Sequence, residues 1–132
     1  MKLACYQLTS MYMKGIQAGI QGGHATDELA AKFIEGDFNG SETEFYKQWV
    51  VTDKTVKIKN AGGSMQILNL MNALIAQDVY PYSAFCEPEL NSAVTSLAVI
   101  LPCDITQDML NYEPRENVRE LLYLVDKLRS AN

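Results

Sequence analysis

The segment from Gln17 to Ala25 has residue types and a spacing that chemistry could use. Four polar side chains in and just after it are three or four residues apart: Gln17, Gln21, His24 and Glu28. In a helix this spacing places them in one stripe. Two amides, an imidazole and a carboxylate can together hydrogen-bond a polar ligand. The alternative is an exposed polar helix face with one buried, hydrogen-bonded histidine.

Three glycines lie in the same segment, at Gly19, Gly22 and Gly23. Each costs about 1 kcal/mol relative to alanine in a helix interior. Either another part of the molecule or a ligand therefore comes close to the helix, or the helix breaks near Gly22 and Gly23. We accordingly count the three glycines and His24 as candidate ligand-binding residues.

Other familiar sites are missing from the sequence. It contains no P-loop pattern, no G-x-G-x-x-G fingerprint and no G-x-S-x-G elbow. Its cysteines, Cys5, Cys86 and Cys103, have no metal-site spacing and are predicted to be reduced thiols, with Cys5 and Cys86 in apolar surroundings. The sequence thus predicts neither a metal site nor another cofactor.

The elements that must position these residues follow the order β-α-α-β-α-β-β-α. Strands are predicted at 2–8, 55–59, 82–86 and 94–101, and helices at 15–35, around 45–50, at 64–75 and at 114–129. Helices that separate strands favour a mixed sheet covered on both faces. The last two strands are expected to be antiparallel, or part of a tight local connection, because their loop is too short for a parallel crossover.

Two details of this pattern are specific enough to check. The run from Val94 to Leu101 is almost continuously apolar, as in a central strand covered on both faces. Ser41 and Glu44 have the spacing of a capping box, so they are expected to start the second helix. The apolar positions predicted for the first helix include Ile16, Ile20 and Ile34.

Composition places the chain among ordinary globular domains. It has 132 residues, of which 48% are hydrophobic and 20% charged, with a formal net charge of −5. That charge disfavours strong nonspecific nucleic-acid binding but allows a local basic patch, such as the lysines within 54–59. With no apolar run of membrane-spanning length and no signal-peptide pattern, we expect a cytoplasmic protein and no membrane partner.

Two groups of residues resemble one known family. The first is Gln17-x-x-x-Gln21-x-x-His24-Ala25, which follows the first strand. The second comprises Tyr80–Phe85, Glu87–Leu90 and Thr95–Val99. In this order they resemble the opening helix, active loop and final strand of the type 2 peptidyl-tRNA hydrolases, whose helix typically reads Lys-x-x-x-Gln-x-x-His-Ala. The match covers about residues 1–102, and 103–132 is interpreted as a C-terminal extension of the same single domain.

The resemblance implies a three-layer α/β/α domain, expected to be a homodimer, that cleaves the ester between a peptide and tRNA. By position, Gln21 and Thr95 match family catalytic residues. Glu87 stands where the family usually has an aspartate, and Gln17 stands where it has a lysine. A neutral amide cannot supply the charge with which lysine holds phosphate or stabilises an oxyanion. Lys14, one turn earlier, could take that role only if the helix start is shifted.

Three functions are compatible with these residues. In the first, an esterase acts on peptidyl-tRNA: Glu87 activates water directly or through Thr95, the polar stripe positions the substrate, and Lys14 or the lysines of 54–59 meet phosphate. In the second, a catalytically lapsed member binds or sequesters a small nucleotide-like ligand, as would suit a viral or mobile-element protein. Asn91, in the loop after Glu87, joins the candidate ligand-binding residues in either case.

The third function is that of a structural or partner-binding domain. It would use the helix near the C-terminus as a dimer or partner surface. An exposed apolar face on residues 118–128 would support this interpretation, and a packed face would count against it.

Overall fold

The fold is a four-stranded mixed sheet with helices on both faces, seen in a computed structural model that describes residues 1–131. The strands are β1 (Leu3–Ser10), β2 (Thr55–Gly62), β3 (Tyr82–Glu87) and β4 (Ala93–Pro102). The helices are α1 (Ile16–Ile34), α2 (Gly40–Gln48), α3 (Ser64–Ile75), α4 (Gln107–Tyr112) and α5 (Glu116–Asp126). The predicted order is confirmed, with the short α4 as an addition. Within residues 1–131, no helix combines the length and apolar character that a membrane crossing requires.

The strands lie in the order β2-β1-β4-β3. β1 and β2 are parallel, whereas β4 runs antiparallel to both β1 and β3. The predicted antiparallel pairing of the last two strands is therefore confirmed. β4 is a central strand, and its residues from Thr95 to Pro102 are buried, as the apolar run at 94–101 predicts.

Alternation along β1 divides the core into two layers. Leu3 and Cys5 pack under α1 and α2, with Ala25 and Trp49. The intervening residues of β1 point the other way, into a larger cluster built with α3 and α5. Helices on both faces of the sheet make this the expected three-layer α/β/α arrangement.

The apolar face of α5 is packed against this larger cluster. Its four buried residues are Val118, Leu121, Leu122 and Val125. After α5 the backbone returns to the outer edge of β2, where Asn60 N donates to Arg129 O and Ala131 N donates to Ile58 O. This packed face counts against the structural or partner-binding interpretation, because α3 and the sheet cover the apolar side of the helix.

The second helix begins two residues earlier than its predicted capping box. Asn39 is the cap: its side chain accepts from Glu42 N at 2.8 Å, and Glu42 accepts from Asn39 N at 3.0 Å. Ser41 instead donates to Val79 O. The sequence contains two possible capping boxes, one starting at Asn39 and one at Ser41. The structure uses the first, because the Asn39 side chain also donates to Asp78 O in a distant part of the sequence.

Helix α1 is continuous through its glycines. The residues that face the sheet are small or polar, with one leucine: Ala18, Gln21, Gly22, Ala25 and Leu29. Ile16 and Ile34, expected in the apolar set, are 82% and 81% exposed. The helix lies close to the sheet on small side chains, so the larger isoleucines are left on the solvent side.

The cysteines differ in their environment. Cys5 is fully buried, and burial raises the pKa of its thiol to about 12. Cys86 is exposed rather than apolar-packed, because it lies at an irregularity on the edge strand β3. All three cysteines are unpaired.

This difference predicts the reactivity of the thiols. At pH 8 a disulfide reagent should modify Cys86 rapidly and Cys5 only after unfolding, because the thiolate is the reacting form. The measurement is the chromogenic titration of thiols with and without denaturant, and Cys86→Ser should remove the fast phase. Rapid modification of Cys5 in the folded protein would contradict the packing described under α1.

Candidate functional site

The candidate site lies at the end of the sheet where β1, β2 and β3 finish and β4 begins. Because β4 is antiparallel to its neighbours, the other three strands share one direction, and their last residues are Ser10, Gly62 and Glu87. The first turns of α1 and the β3–β4 loop stand beside this edge. In open α/β sheets ligands commonly bind beyond the carboxyl ends of the strands.

Three residues that are far apart in the sequence are hydrogen-bonded at this edge. Thr95 Oγ1 donates to Gln21 Oε1 at 2.6 Å, and Gln21 Nε2 donates to Glu87 Oε2 at 3.1 Å. These donor and acceptor roles are mutually consistent. A carboxylate can only accept, so Gln21 must turn its NH2 group to Glu87 and its oxygen to Thr95, and the Thr95 hydroxyl must then donate to that oxygen. We call this arrangement the Thr95–Gln21–Glu87 relay.

A β-bulge turns Thr95 towards α1. Phe85 pairs with Ser96 and Cys86 pairs with Val94, so Thr95 is an extra residue in β4. The side chains of both Thr95 and Ser96 consequently bond to groups on the α1 side of the sheet, which regular alternation would not allow. Bulges that re-aim a side chain in this way are frequent beside active sites.

A buried polar layer continues the relay across β1. Thr9 Oγ1 and Ser96 Oγ lie 3.3 Å apart, and Gln7 Nε2 donates to Thr26 Oγ1 at 3.0 Å. Buried polar groups are costly unless they are hydrogen-bonded, and among residues 1–131 every buried side-chain nitrogen and oxygen has a partner. Sequence reasoning missed this layer, although the polar Gln7, Thr9 and Ser10 at the end of an apolar strand were a visible signal.

Glu87 is the member of the relay that can do acid–base chemistry. It is half-buried, whereas Gln21 and Thr95 are 5% and 2% exposed. Its other carboxylate oxygen accepts from Glu89 N at 3.4 Å, across the 3₁₀ turn Pro88–Leu90. A carboxylate held by an amide and a backbone N–H, with an open side, can accept a proton from water. Thr95 is too buried to touch a substrate and can act only through Gln21.

The rest of the predicted polar stripe is on the surface. Gln17, His24 and Glu28 are exposed, and they flank Gln21 on α1. The His24 ring stacks on Phe85, with 4.6 Å between ring centroids and 27° between planes. His24 is therefore not the buried histidine of the alternative interpretation.

The three glycines have different environments. Gly22 is buried, and a Cβ there would lie 2.8 Å from Cδ of Gln7. This close approach comes from a side chain of β1, so Gly22 leaves no room for ligand atoms, which corrects its candidate binding role. Gly19 and Gly23 have open space where a Cβ would stand.

The remaining candidate ligand-binding residues lie around the edge. Lys14 is exposed in the β1–α1 loop, and its carbonyl accepts from Gln17 N. It borders a cavity of about 360 Å³ that Thr9 and Asn60 also line. Asn91 is exposed at the end of the 3₁₀ turn, in a left-handed conformation with φ 59°. Neither Lys14 nor Asn91 is bonded to the relay.

The lysine side chains of β2 are hydrogen-bonded to the C-terminal region of the chain. Lys57 Nζ donates to Cys103 O at 2.6 Å, and Lys59 Nζ donates to Leu128 O at 3.3 Å. Both acceptors belong to the C-terminal region on the α3 and α5 side of the sheet. The structure therefore does not bring Lys57 and Lys59 to the relay, and both ammonium groups are bonded to backbone carbonyls.

The geometry brings together Gln21, Glu87 and Thr95, three of the four predicted catalytic residues, while Gln17 stands one turn away on the surface. In chemical terms the site offers one oriented carboxylate, exposed amide and imidazole groups, and a planar aromatic pair. No protein-family model matches the sequence, and no curated protein matches it with significant similarity.

Proposed function

We propose that the chain hydrolyses the ester bond of peptidyl-tRNA, as a divergent member of the type 2 peptidyl-tRNA hydrolase family. The observation that carries this proposal is the relay: the resemblance matches positions 21, 87 and 95 to catalytic positions of the family, and these three residues are hydrogen-bonded to one another. The α/β fold with its mixed sheet also agrees with the resemblance. The same proposal includes a homodimeric state and a cytoplasmic location.

In this proposal Glu87 is the general base. It takes a proton from a water molecule that attacks the ester carbonyl, and the bond to the ribose oxygen then breaks. The products are a peptide with a free carboxylate and a tRNA with a free hydroxyl, which receives the proton. Gln21 and Thr95 are positioning residues, since they fix the carboxylate by hydrogen bonds without reaching the substrate.

A second candidate function is binding without chemistry. It is favoured by the lack of a cation at the relay: within residues 1–131, no Lys or Arg side chain hydrogen-bonds to Gln21, Glu87 or Thr95. Gln17 is uncharged where the family has lysine. A developing oxyanion would then have only neutral donors, and the site would hold a small nucleotide-like ligand instead.

Hydrolysis of an N-acetylated aminoacyl-tRNA by the purified protein tests the proposal. We expect turnover by the natural chain and about a tenfold higher kcat/KM for Gln17→Lys, because an added cation beside the relay is worth about 1.4 kcal/mol in transition-state stabilisation. Gln17 is exposed, so Gln17→Met is a control that keeps side-chain length without adding charge.

The outcomes separate the two functions. Turnover by the natural chain supports the hydrolase, and a gain in Gln17→Lys that is absent in Gln17→Met assigns that gain to the added charge. Turnover only in Gln17→Lys means that the scaffold is intact but its catalysis has lapsed, which supports the binding function. If neither protein hydrolyses the substrate, the hydrolase proposal is abandoned.

A further inference from the structure

The stacked pair His24–Phe85 is an aromatic surface that the hydrolytic chemistry does not use. His24 is exposed, while Phe85 is half-buried and packs against the core under α1. Phe85 thus supports the imidazole from below and holds its plane. A rigid aromatic face at the surface offers the stacking area that a second flat ring can cover.

Each ring of this surface is close in sequence to a residue of the relay. His24 follows Gln21 by three residues on α1, and Phe85 precedes Glu87 by two residues on β3. A flat group stacked on His24 would therefore lie beside the carboxylate that acts on the ester. In peptidyl-tRNA the flat group nearest the ester is the terminal nucleobase, joined to it by one ribose.

The groups around His24 can hydrogen-bond the edge of a base. Gln17 and Glu28 stand on the same side of α1, before and after His24, and both are exposed. The hydrogen bonds found within residues 1–131 involve neither of these side chains, so the amide and the carboxylate are available to a ligand. A carboxylate only accepts, which favours a base with an exocyclic amino group.

We propose that His24 and Phe85 form a nucleobase-binding platform, on which an amino-bearing base stacks while Gln17 and Glu28 contact its edge. This proposal rests on the proposed function in taking the ligand to be a nucleotide. Stacking of bases on aromatic side chains accepts any π-face, so the platform provides affinity and the flanking polar groups provide discrimination. The base belongs either to the tRNA terminus or to a free nucleotide.

The test uses the fact that the chain contains a single histidine. In a tag-free protein, the imidazole C–H signals in a carbon–proton NMR spectrum belong to His24 alone. Adenosine monophosphate should shift these signals upfield through the ring current of the stacked base. Uridine monophosphate, which lacks an amino group, should bind at least fivefold more weakly.

Variants separate stacking from other effects. By calorimetry, His24→Ala should weaken adenosine monophosphate binding at least tenfold, while His24→Phe should bind within threefold of the natural chain. Glu120→Ala, an exposed acidic change on α5 across the sheet, should leave the affinity unaltered. Thermal melts check that each variant is folded, and His24 is exposed enough for its replacement to be tolerated.

The outcomes bear on the platform independently of turnover, since binding needs no hydrolysis. Tighter binding of a short RNA ending in CCA than of the mononucleotide identifies the tRNA terminus as the source, and equal binding identifies a free nucleotide. Either supports the platform. Imidazole signals that no nucleotide shifts, or unchanged affinity in His24→Ala, would overturn it even if the chain hydrolyses peptidyl-tRNA.

Discussion

Glu87→Gln is expected to lower kcat/KM for hydrolysis of N-acetylated aminoacyl-tRNA by about 10²- to 10⁴-fold, which is the usual contribution of a general base. Glutamine has the same shape as glutamate and retains an oxygen that can accept from Gln21 Nε2. The variant should therefore keep the hydrogen bond from Gln21 and lose the ability to take a proton, together with the long 3.4 Å bond from Glu89 N. Single-turnover assays with excess protein measure this chemical step directly.

Glu89→Gln is the matched control. Glu89 is exposed, carries the same charge two residues away, and contacts Glu87 through its backbone N–H, which the substitution leaves in place. We expect its kcat/KM to change less than threefold. Equal losses in both variants would indicate a general effect of acidic charge on tRNA binding and would remove Glu87 from its role as base.

The second large effect is expected at Gly22. In Gly22→Ala the new methyl group would lie 2.8 Å from Cδ and 3.1 Å from Cβ of Gln7. Gln7 is 7% exposed and bonded to Thr26, so it cannot move away freely. Overpacking of this kind costs about 1–3 kcal/mol, outweighing the gain in helix propensity. Urea unfolding should show a lower midpoint.

Gly23→Ala is the comparison that isolates the contact. Gly23 occupies the next position in the same helix, and a Cβ there meets nothing within 4 Å. The substitution should raise the free energy of unfolding by up to about 1 kcal/mol, since alanine is the better helix former. If both substitutions stabilise the protein, the helix does not press against Gln7 as described.

The order of elements was predictable because each long element has a clear period or boundary. The short α4 was not, since six residues capped by Thr106 give no usable period. The start of α2 was misplaced because two overlapping capping-box spacings occur, and only the contact of Asn39 with Asp78 decides between them. The outward isoleucines of α1 follow from close helix–sheet packing, which composition does not reveal.

The grouping of the three relay residues was predictable only through the resemblance. Gln21, Glu87 and Thr95 belong to three elements, and no local pattern links them. Regular strand alternation would place Thr95 and Ser96 on opposite faces of the sheet. The bulge that places both side chains on the α1 side is visible only in the structure. The supporting layer of Gln7 and Thr9 depends on the register between β1 and β4, which a single sequence does not provide.

The position of β1 in the sheet affects how the chain folds during its synthesis. β1 pairs with β4 along its length, from Leu3 opposite Pro102 to Thr9 opposite Ser96. This edge of β1 therefore stays unpaired until residues 96–102 have left the ribosome. Contacts so distant in sequence slow folding and leave apolar strands exposed to aggregation. We expect the nascent chain to depend on chaperones until β4 has emerged.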